Sequence, residues 1–395
     1  MDNASKKRPE LAECDVFLLI PGFYRNAEVP EEVHNALCDE FNSEITETIR
    51  AEYEEDCTGK FERVSLGELT LLIDEYEDRY TQEAAYTLMR HKETSFCVLE
   101  ILIPDAAVGG NKILSHYTYN SLRARYQDQE LTIPEFLEAL GIDDYGRKRS
   151  MIFTGAEVTE EEIIHALVNE ENPIGKVTGS LAGKARKNLA QYDTARVYAS
   201  SSTMIEVYDS QRWEKTSLDR IPYQVTEIFF IELLLLLDAS IDKIYYEILQ
   251  EEARLRKGAD IAASKALLEK LTYEMSWTVQ FSDFNRFKDP VVRESARVIS
   301  EAFDIDDIFK KYENNRKLLA EMIQISAEQT AKQRDKVKNR FLFFITALSM
   351  IAAVNGALGN LNIEAIKPYS YFISIFIVLV CYGIYRIITR GDKKK

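Results

Sequence analysis

The stretch NPIGKVTGSLAGKARKNLAQYD, Asn172–Asp193, sets Gly175, Gly179 and Gly183 four residues apart and follows them with Lys184, Arg186 and Lys187. Glycines let backbone N–H groups close on an anion, and the cations add charge, so this spacing fits phosphate binding. The candidate phosphate-binding residues are Gly179, Gly183, Lys184, Arg186 and Lys187. The stretch is not a Walker A loop, because its spacing differs and Ala185 stands where that loop carries a magnesium-binding Ser or Thr. A surface loop with solvated lysines is the other reading, and sequence alone leaves both open.

A second constellation lies in FLFFITALSMIAAVNGALGNLN, Phe341–Asn362. Every third or fourth residue gives Leu342, Ile345, Ser349, Ala352, Gly356 and Gly359, a stripe that turns small. Extended backwards, the same stripe reads Glu321, Gln324, Glu328, Ala331, Asp335 and Lys338 and is polar. A ring of such helices would line a wet axis with the polar positions and pack closely at the small ones. The expected pore-lining residues are Ser349, Ala352, Asn355, Gly356, Gly359 and Asn360. Ordinary close packing explains the small residues equally, and Asn360 could serve as a helix C-terminal cap.

Two apolar stretches have the length to cross a bilayer. Residues 341–361 would span roughly 31 Å as a helix, and 369–388 form the second stretch. Lys332, Arg334, Lys336, Lys338 and Arg340 precede the first span, and Arg386, Arg390, Lys393, Lys394 and Lys395 follow the second. The link 362–368 has only Lys367 beside Glu364. The positive-inside rule then puts both ends in the cytoplasm, as expected of a multi-pass inner-membrane protein. Val225–Leu249 is also apolar, but Glu227, Glu232, Asp238 and Asp242 interrupt it. Central carboxylates cost about 2.5–3.5 kcal/mol each on insertion, so a buried or oligomer-facing helix is expected there.

The chain has 395 residues and a formal charge of −16. Ala331–Lys395 carries eleven Lys/Arg and three Asp/Glu; taking that +8 from −16 leaves −24 on the rest. So acidic a surface excludes bulk nucleic acid as its partner. Cys14, Cys38, Cys57, Cys97 and Cys381 make no C-x-x-C pair, and the four histidines match no zinc motif. An odd number of thiols fits a reducing cytosol. The first residues have no apolar stretch of signal-peptide length, and no hydrolase motif is present, so an enzyme is not expected.

The N-terminal part reads as mixed α/β. Asp15–Tyr24, Ser95–Pro104 and Ala195–Asp209 are rich in strand formers. IDEYEDRYTQEAAYTLMRHK, Ile73–Lys92, reads as helical, and TIPEFLEALGI as a helix with a Thr cap, an early Pro and a Gly near its end. Soft boundaries fall at Gly141–Ser150 and Ser210–Ile221. Asp289–Gln333 contains no Gly, and its only Pro is Pro290 near the start, so one long helix running into the membrane part is expected. The expected organisation is a cytosolic α/β (or α+β) domain over 1–221, a helical pair over 222–288 and a stalk helix over 289–340. A first span (341–361), an outer loop (362–368), a second span (369–388) and a basic tail (389–395) complete it.

This layout resembles the CorA family of divalent-cation channels, most clearly from Pro222 to Lys395. The segment FFIELLLLLDASIDKIYYEIL is similar to the helices before that family's stalk, and RGDKKK to its basic tail. The resemblance implies a homopentamer in membrane lipid whose stalk becomes a pore-lining span, with magnesium or another divalent cation as the ion. The family's Gly-Met-Asn motif is absent; Gly359-Asn360 keeps its glycine and amide without the methionine. Only Asn360 or Asn355 can inherit the ion-facing role that the resemblance implies. A divergent branch that accompanies type III CRISPR systems also lacks a good motif. Similarity to it implies an antiviral membrane effector gated by a small nucleotide second messenger, S-adenosylmethionine joined to AMP. The alternative is a constitutive divalent-cation transporter.

Overall fold

The strand β1 (Glu10–Tyr24) buries Val16, Leu18 and Ile20 on one face and Phe17 and Leu19 on the other. A strand apolar on both faces must lie inside a sheet with layers on each side. In the computed structural model, which describes residues 10–35, 39–53, 60–75, 78–109, 122–168, 183, 186–216, 220–256, 261–360, 372 and 376, that is its position. The other strands are β2 (Phe61–Glu75), β3 (Asp78–His91), β4 (Phe96–Gly109), β5 (Leu122–Tyr126), β6 (Gln129–Thr132), β7 (Ile142–Asp144), β8 (Arg149–Thr154), β9 (Ala195–Ala199) and β10 (Thr203–Tyr208). Among the described residues they form one sheet in the order β6-β5-β2-β3-β4-β1-β8-β10-β9, with β7 paired to β1. The described pairings are antiparallel except β8 with β10, which runs parallel.

Helices cover both faces. On the Phe17 face lie α1 (Asp39–Glu52), the 36-residue α5 (Ile221–Arg256) and α7 (Pro290–Ala302). On the Leu18 face lie α2 (Ile133–Leu140) and α3 (Glu160–Val168). The short α4 (Ser210–Thr216) precedes α5, and α6 (Ile261–Thr278) and the 56-residue α8 (Ile305–Asn360) complete the helices. The chain divides into two units: Met1–Ala259 with Ala266–Ala320, and Asp260–Lys265 with Glu321–Lys395.

The start of α2 follows from its sequence. Thr132 and Glu135 form a reciprocal capping box, and Gly141 ends the helix in the left-handed region at φ 78°. Ser200–Ser202 turn the expected strand Ala195–Asp209 into a hairpin, β9–β10.

Several expectations are corrected. Ile73–Lys92 is not helical: it holds the end of β2 and all of β3, paired on both sides. Ala84, Tyr86 and Leu88 fill one core and Ala85 and Met89 the other. Burial on both faces erases the alternation that marks a half-exposed strand, and packing overrides the helix propensity of Glu, Ala, Leu and Met. The boundary at Gly141–Ser150 falls inside the sheet, because β7 and β8 both pair with β1. The boundary at Ser210–Ile221 does not end the core either, since α5 supplies much of it.

The expected unbroken helix from Asp289 is two helices. Phe303 is buried between them and Asp304 adopts φ 58°. No Gly or Pro marks this break. Arg149 of β8 makes it: its guanidinium lies over the Phe303 ring at 5.1 Å and donates to the Phe303 carbonyl at 3.3 Å. From Ile305 the helix runs unbroken to Asn360.

Among the described residues no helix is long and apolar enough to cross a membrane, so the expected transmembrane hairpin is not supported by the fold. The uncharged sequence Phe341–Asn360 forms the end of α8, but several side chains there lie outside those described. Of the expected second span only Phe372 and Phe376 are described.

His91, at the end of β3, is buried among Phe61, Trp277 and Phe281, with ring centroids at 5.4, 5.1 and 5.1 Å. Its Nδ1 lies 2.9 Å from Thr94 Oγ1. Burial, and secondarily the Lys60 charge, lower its pKa from 6.5 to about 4. The folded state therefore holds it neutral. The stability this confers is complete above pH 6.5 and is lost as pH falls toward 4, by about 3 kcal/mol in all. Replacement by His91→Phe should flatten the stability profile between those pH values, as measured by urea unfolding; an unchanged slope would exclude His91 as its source.

Candidate functional site

The five expected phosphate ligands are not gathered into one site by the described residues. Gly179 and Lys184 lie outside them. A Cβ on Gly183 would meet nothing within 4 Å, so no close approach demands glycine there. Arg186 is paired with Glu160 of α3, both groups being more than half exposed, and such a pair contributes little. Lys187 is exposed. Of the expected pore residues, Ser349 is an exposed position of α8. Ala352, Asn355, Gly356, Gly359 and Asn360 are helical, but their side chains lie outside those described.

Two buried polar clusters stand out instead, and both involve acids of α5. In the first, Arg63 of β2 lies between Glu100 of β4 and Glu232 of α5. Its Nη1 donates to Glu232 Oε1 at 2.9 Å, its Nη2 to Glu100, and its Nε to Asn42 Oδ1 at 3.0 Å. Asn42 of α1 donates in turn to Thr87 Oγ1 at 3.3 Å. One guanidinium cannot neutralise two buried carboxylates. Burial, and then the Glu100 charge, push the Glu232 carboxyl well above its usual range, so its protonated form is favoured beside Glu100. Arg63 also reaches a polar cleft of about 480 Å³ beside Asn42, Thr46 and Glu47.

The second cluster sits where the glycine- and lysine-rich stretch re-enters the described chain. Ala190, Gln191 and Tyr192, just past Lys187, form one wall of a mostly apolar cavity of about 60 Å³. Trp213 of α4 and Tyr223 of α5 line it, with Glu206 of β10, Glu227 of α5 and Val291, Val292 and Ser295 of α7. The Tyr223 ring lies 5.2 Å from Trp213 and 5.8 Å from Tyr192. Gln224 Nε2 donates to Glu206 Oε1 at 3.1 Å. Burial raises the pKa of Glu206, with Glu227, Gln224 and Arg220 opposing it. Burial, and then the Glu206 charge, raise Glu227 well above its usual range. The protonated form of Glu227 is thus favoured beside Glu206. The indole Nε1 of Trp213 is buried without a partner among the described residues.

Of these cavity residues the sequence singled out only Glu227, as one of the acids that interrupt Val225–Leu249. The usable signals were one of only two tryptophans, Trp213, and an acid inside the otherwise apolar strand sequence TMIEVY. Among the described residues no group of three or more His, Cys, Asp or Glu could hold a metal ion.

Arg63 and Glu232 of the first cluster should respond differently to mutation. Arg63→Met strands Glu100 beside Glu232 and should cost about 3–5 kcal/mol at neutral pH. Glu232→Gln should cost under about 1 kcal/mol, because the folded protein already carries a proton there. A carboxyl with a raised folded pKa favours folding most below its unfolded value near 4.5, and that support fades as pH rises toward the folded value. Glu232→Gln should therefore reduce the fall in stability above pH 4.5; equal costs for the two variants, read by urea unfolding, would refute a protonated Glu232. Comparison of the chain with protein-family models, curated proteins and solved structures finds no match.

Proposed function

We propose that the chain is a CorA-like membrane effector. In this reading the α/β domain binds a small nucleotide second messenger, for which S-adenosylmethionine joined to AMP is the candidate. Residues 341–361 and 369–388 cross the membrane, and several copies, five by resemblance, surround a pore. Asn360 or Asn355 faces the ion. The observation that carries the reading is α8: one helix begins among buried side chains of the first unit, with Ile308, Asn315 and Leu319, and ends in the uncharged Phe341–Asn360. A stretch of twenty uncharged residues at the end of an exposed, charged helix suits lipid better than water.

The energetics set what a ligand must do. Moving a closed channel from 1:99 to 99:1 open requires about 5.5 kcal/mol of preference for the open state, shared among equivalent sites. A binding site must therefore touch an element whose position differs between the two states. The aromatic cavity is walled by α7, the helix that leads into α8.

The test is reconstitution into liposomes loaded with a magnesium-sensitive dye. Adenylate conjugates should induce flux, thiols introduced at Ser349 and Gly356 should react with polar reagents, and Asn360→Ala should change the flux. Magnesium flux without nucleotide would favour a constitutive transporter. Absence of flux together with a monomeric particle in detergent would remove the channel reading.

A further inference from the structure

We propose that Lys332, Lys336 and Arg340 form one docking face of α8 for the headgroups of anionic lipid, turned away from the face that carries Ser349. The inference rests on the reading above, in which the end of α8 enters a membrane, and names the lipid chemistry that meets the helix there. Three observations carry it.

The first is angular placement. An α-helix turns about 100° per residue, so Lys332, Lys336 and Arg340, four apart, share one face within about 80°. Asp335, Lys338, Leu342, Ile345 and Ser349 centre on a second face about 140° away, the face expected to line an axis. Arg334 and Lys338 point about 60° and 20° from the centre of that second face. The five cations are thus two sets, three turned outward and two toward the axis.

The second is availability. All five cations are exposed on one unbroken helix. Among the described residues, Lys332, Lys336 and Arg340 have no ion-pair or hydrogen-bond partner. Asp335 is the one acid between residues 332 and 340. Cations earlier in α8 are engaged: Lys310 with Asp307, Lys311 with Asp242 and Arg316 with Glu313. The outward set therefore has its charge to offer to a group outside the chain.

The third is the apolar continuation. The next step of four after Arg340 is Phe344, and it is more than half exposed, as are Val337 and Phe341. A soluble polyanion would take the cations and leave these side chains in water; a bilayer takes both. At about 1.5 Å per residue, Lys336 lies about 6 Å and Lys332 about 12 Å before Arg340. The headgroup layer is about 5–7 Å deep on each side of the hydrocarbon. Arg340 and Lys336 then sit at headgroup depth, and Lys332 stays within about a Debye length of it. Near an anionic leaflet each such cation strengthens attachment about fivefold.

The experiment uses the full-length protein in a neutral detergent, with short-chain phosphatidylglycerol and phosphatidylcholine as probes, by calorimetry. Phosphatidylglycerol should bind at least about tenfold more tightly, and the preference should fade in about 1 M salt. Lys336→Gln with Arg340→Gln should weaken phosphatidylglycerol about 25-fold, and adding Lys332→Gln about a hundredfold in all. Arg334→Gln with Lys338→Gln removes the same charge as the first pair and should cost less than about threefold. Far-UV circular dichroism should not change, because glutamine is a good helix former. Equal losses from the two double variants would show a general charge effect and overturn the outward face. Competition by glycerol phosphate as effective as by the lipid would make soluble phosphate the ligand and overturn the lipid. If Lys336→Gln with Arg340→Gln leaves phosphatidylglycerol affinity unchanged while nucleotide-induced flux in liposomes persists, the lipid face is wrong and the effector reading stands. If the wild-type protein binds neither lipid and stays dispersed once detergent is removed, both fall.

Discussion

An apolar helix carrying acids can be buried only where each acid meets a cation or a shared proton, because an isolated buried charge costs far more than the fold can supply. That constraint governs α5. Glu227 lies beside Glu206 of β10 with its protonated form favoured, and Glu232 meets Arg63 of β2, which also pairs with Glu100 of β4. Asp238 accepts the Arg147 backbone N–H at 2.8 Å, and Lys311 of α8 reaches Asp242 at 3.2 Å. The partners come from both halves of the sheet and from the long helix, so α5 has one rotation and one register that satisfy all four. Gly146 tightens this further: at φ 81°, its place would set a Cβ 2.9 Å from the Ala239 backbone nitrogen. The helix and the β7–β8 turn therefore meet backbone to backbone.

The rest of the Phe17-face layer follows from that placement. Tyr53 of the segment after α1 packs edge-on against Phe229 and Phe287 at 5.3 and 5.0 Å. The start of α8 is held by Asn315 Nδ2, which donates to the Ile241 carbonyl at 2.8 Å. Arg149 fixes the joint between α7 and α8 from the sheet side. The helices α7 and α8 are thus tied to α5 and β8 at their joint and at the start of α8.

Some of this was legible in the sequence. The acids inside Val225–Leu249 marked a buried helix rather than a membrane span, since their cost in lipid is plain from residue type alone. The capping box at Thr132 and the glycine at 141 gave both ends of α2. What escaped notice depends on distant partners. β3 has helix-forming residues and no alternation, and only its two neighbours reveal it as a strand. The break at Phe303 depends on an arginine far away in sequence. The cavity draws its rings from the β9 approach, α4 and α5, and its acids from β10 and α5. No local motif could bring them together, and the cations of the basic glycine stretch are not assembled into one site among the described residues.

The sheet's connectivity has a consequence for biosynthesis. β1 leaves the ribosome well before its neighbours β4 and β8, since Phe17 pairs with Leu102 on one side and Met151 on the other. At about 5–20 residues per second its apolar sequence waits several seconds for the first partner and longer for the second. Nascent β1 is therefore an apolar segment that stays unpaired during synthesis until β4 and β8 emerge. The uncharged end of α8 is translated only after every described strand, when the β-layer can already have closed.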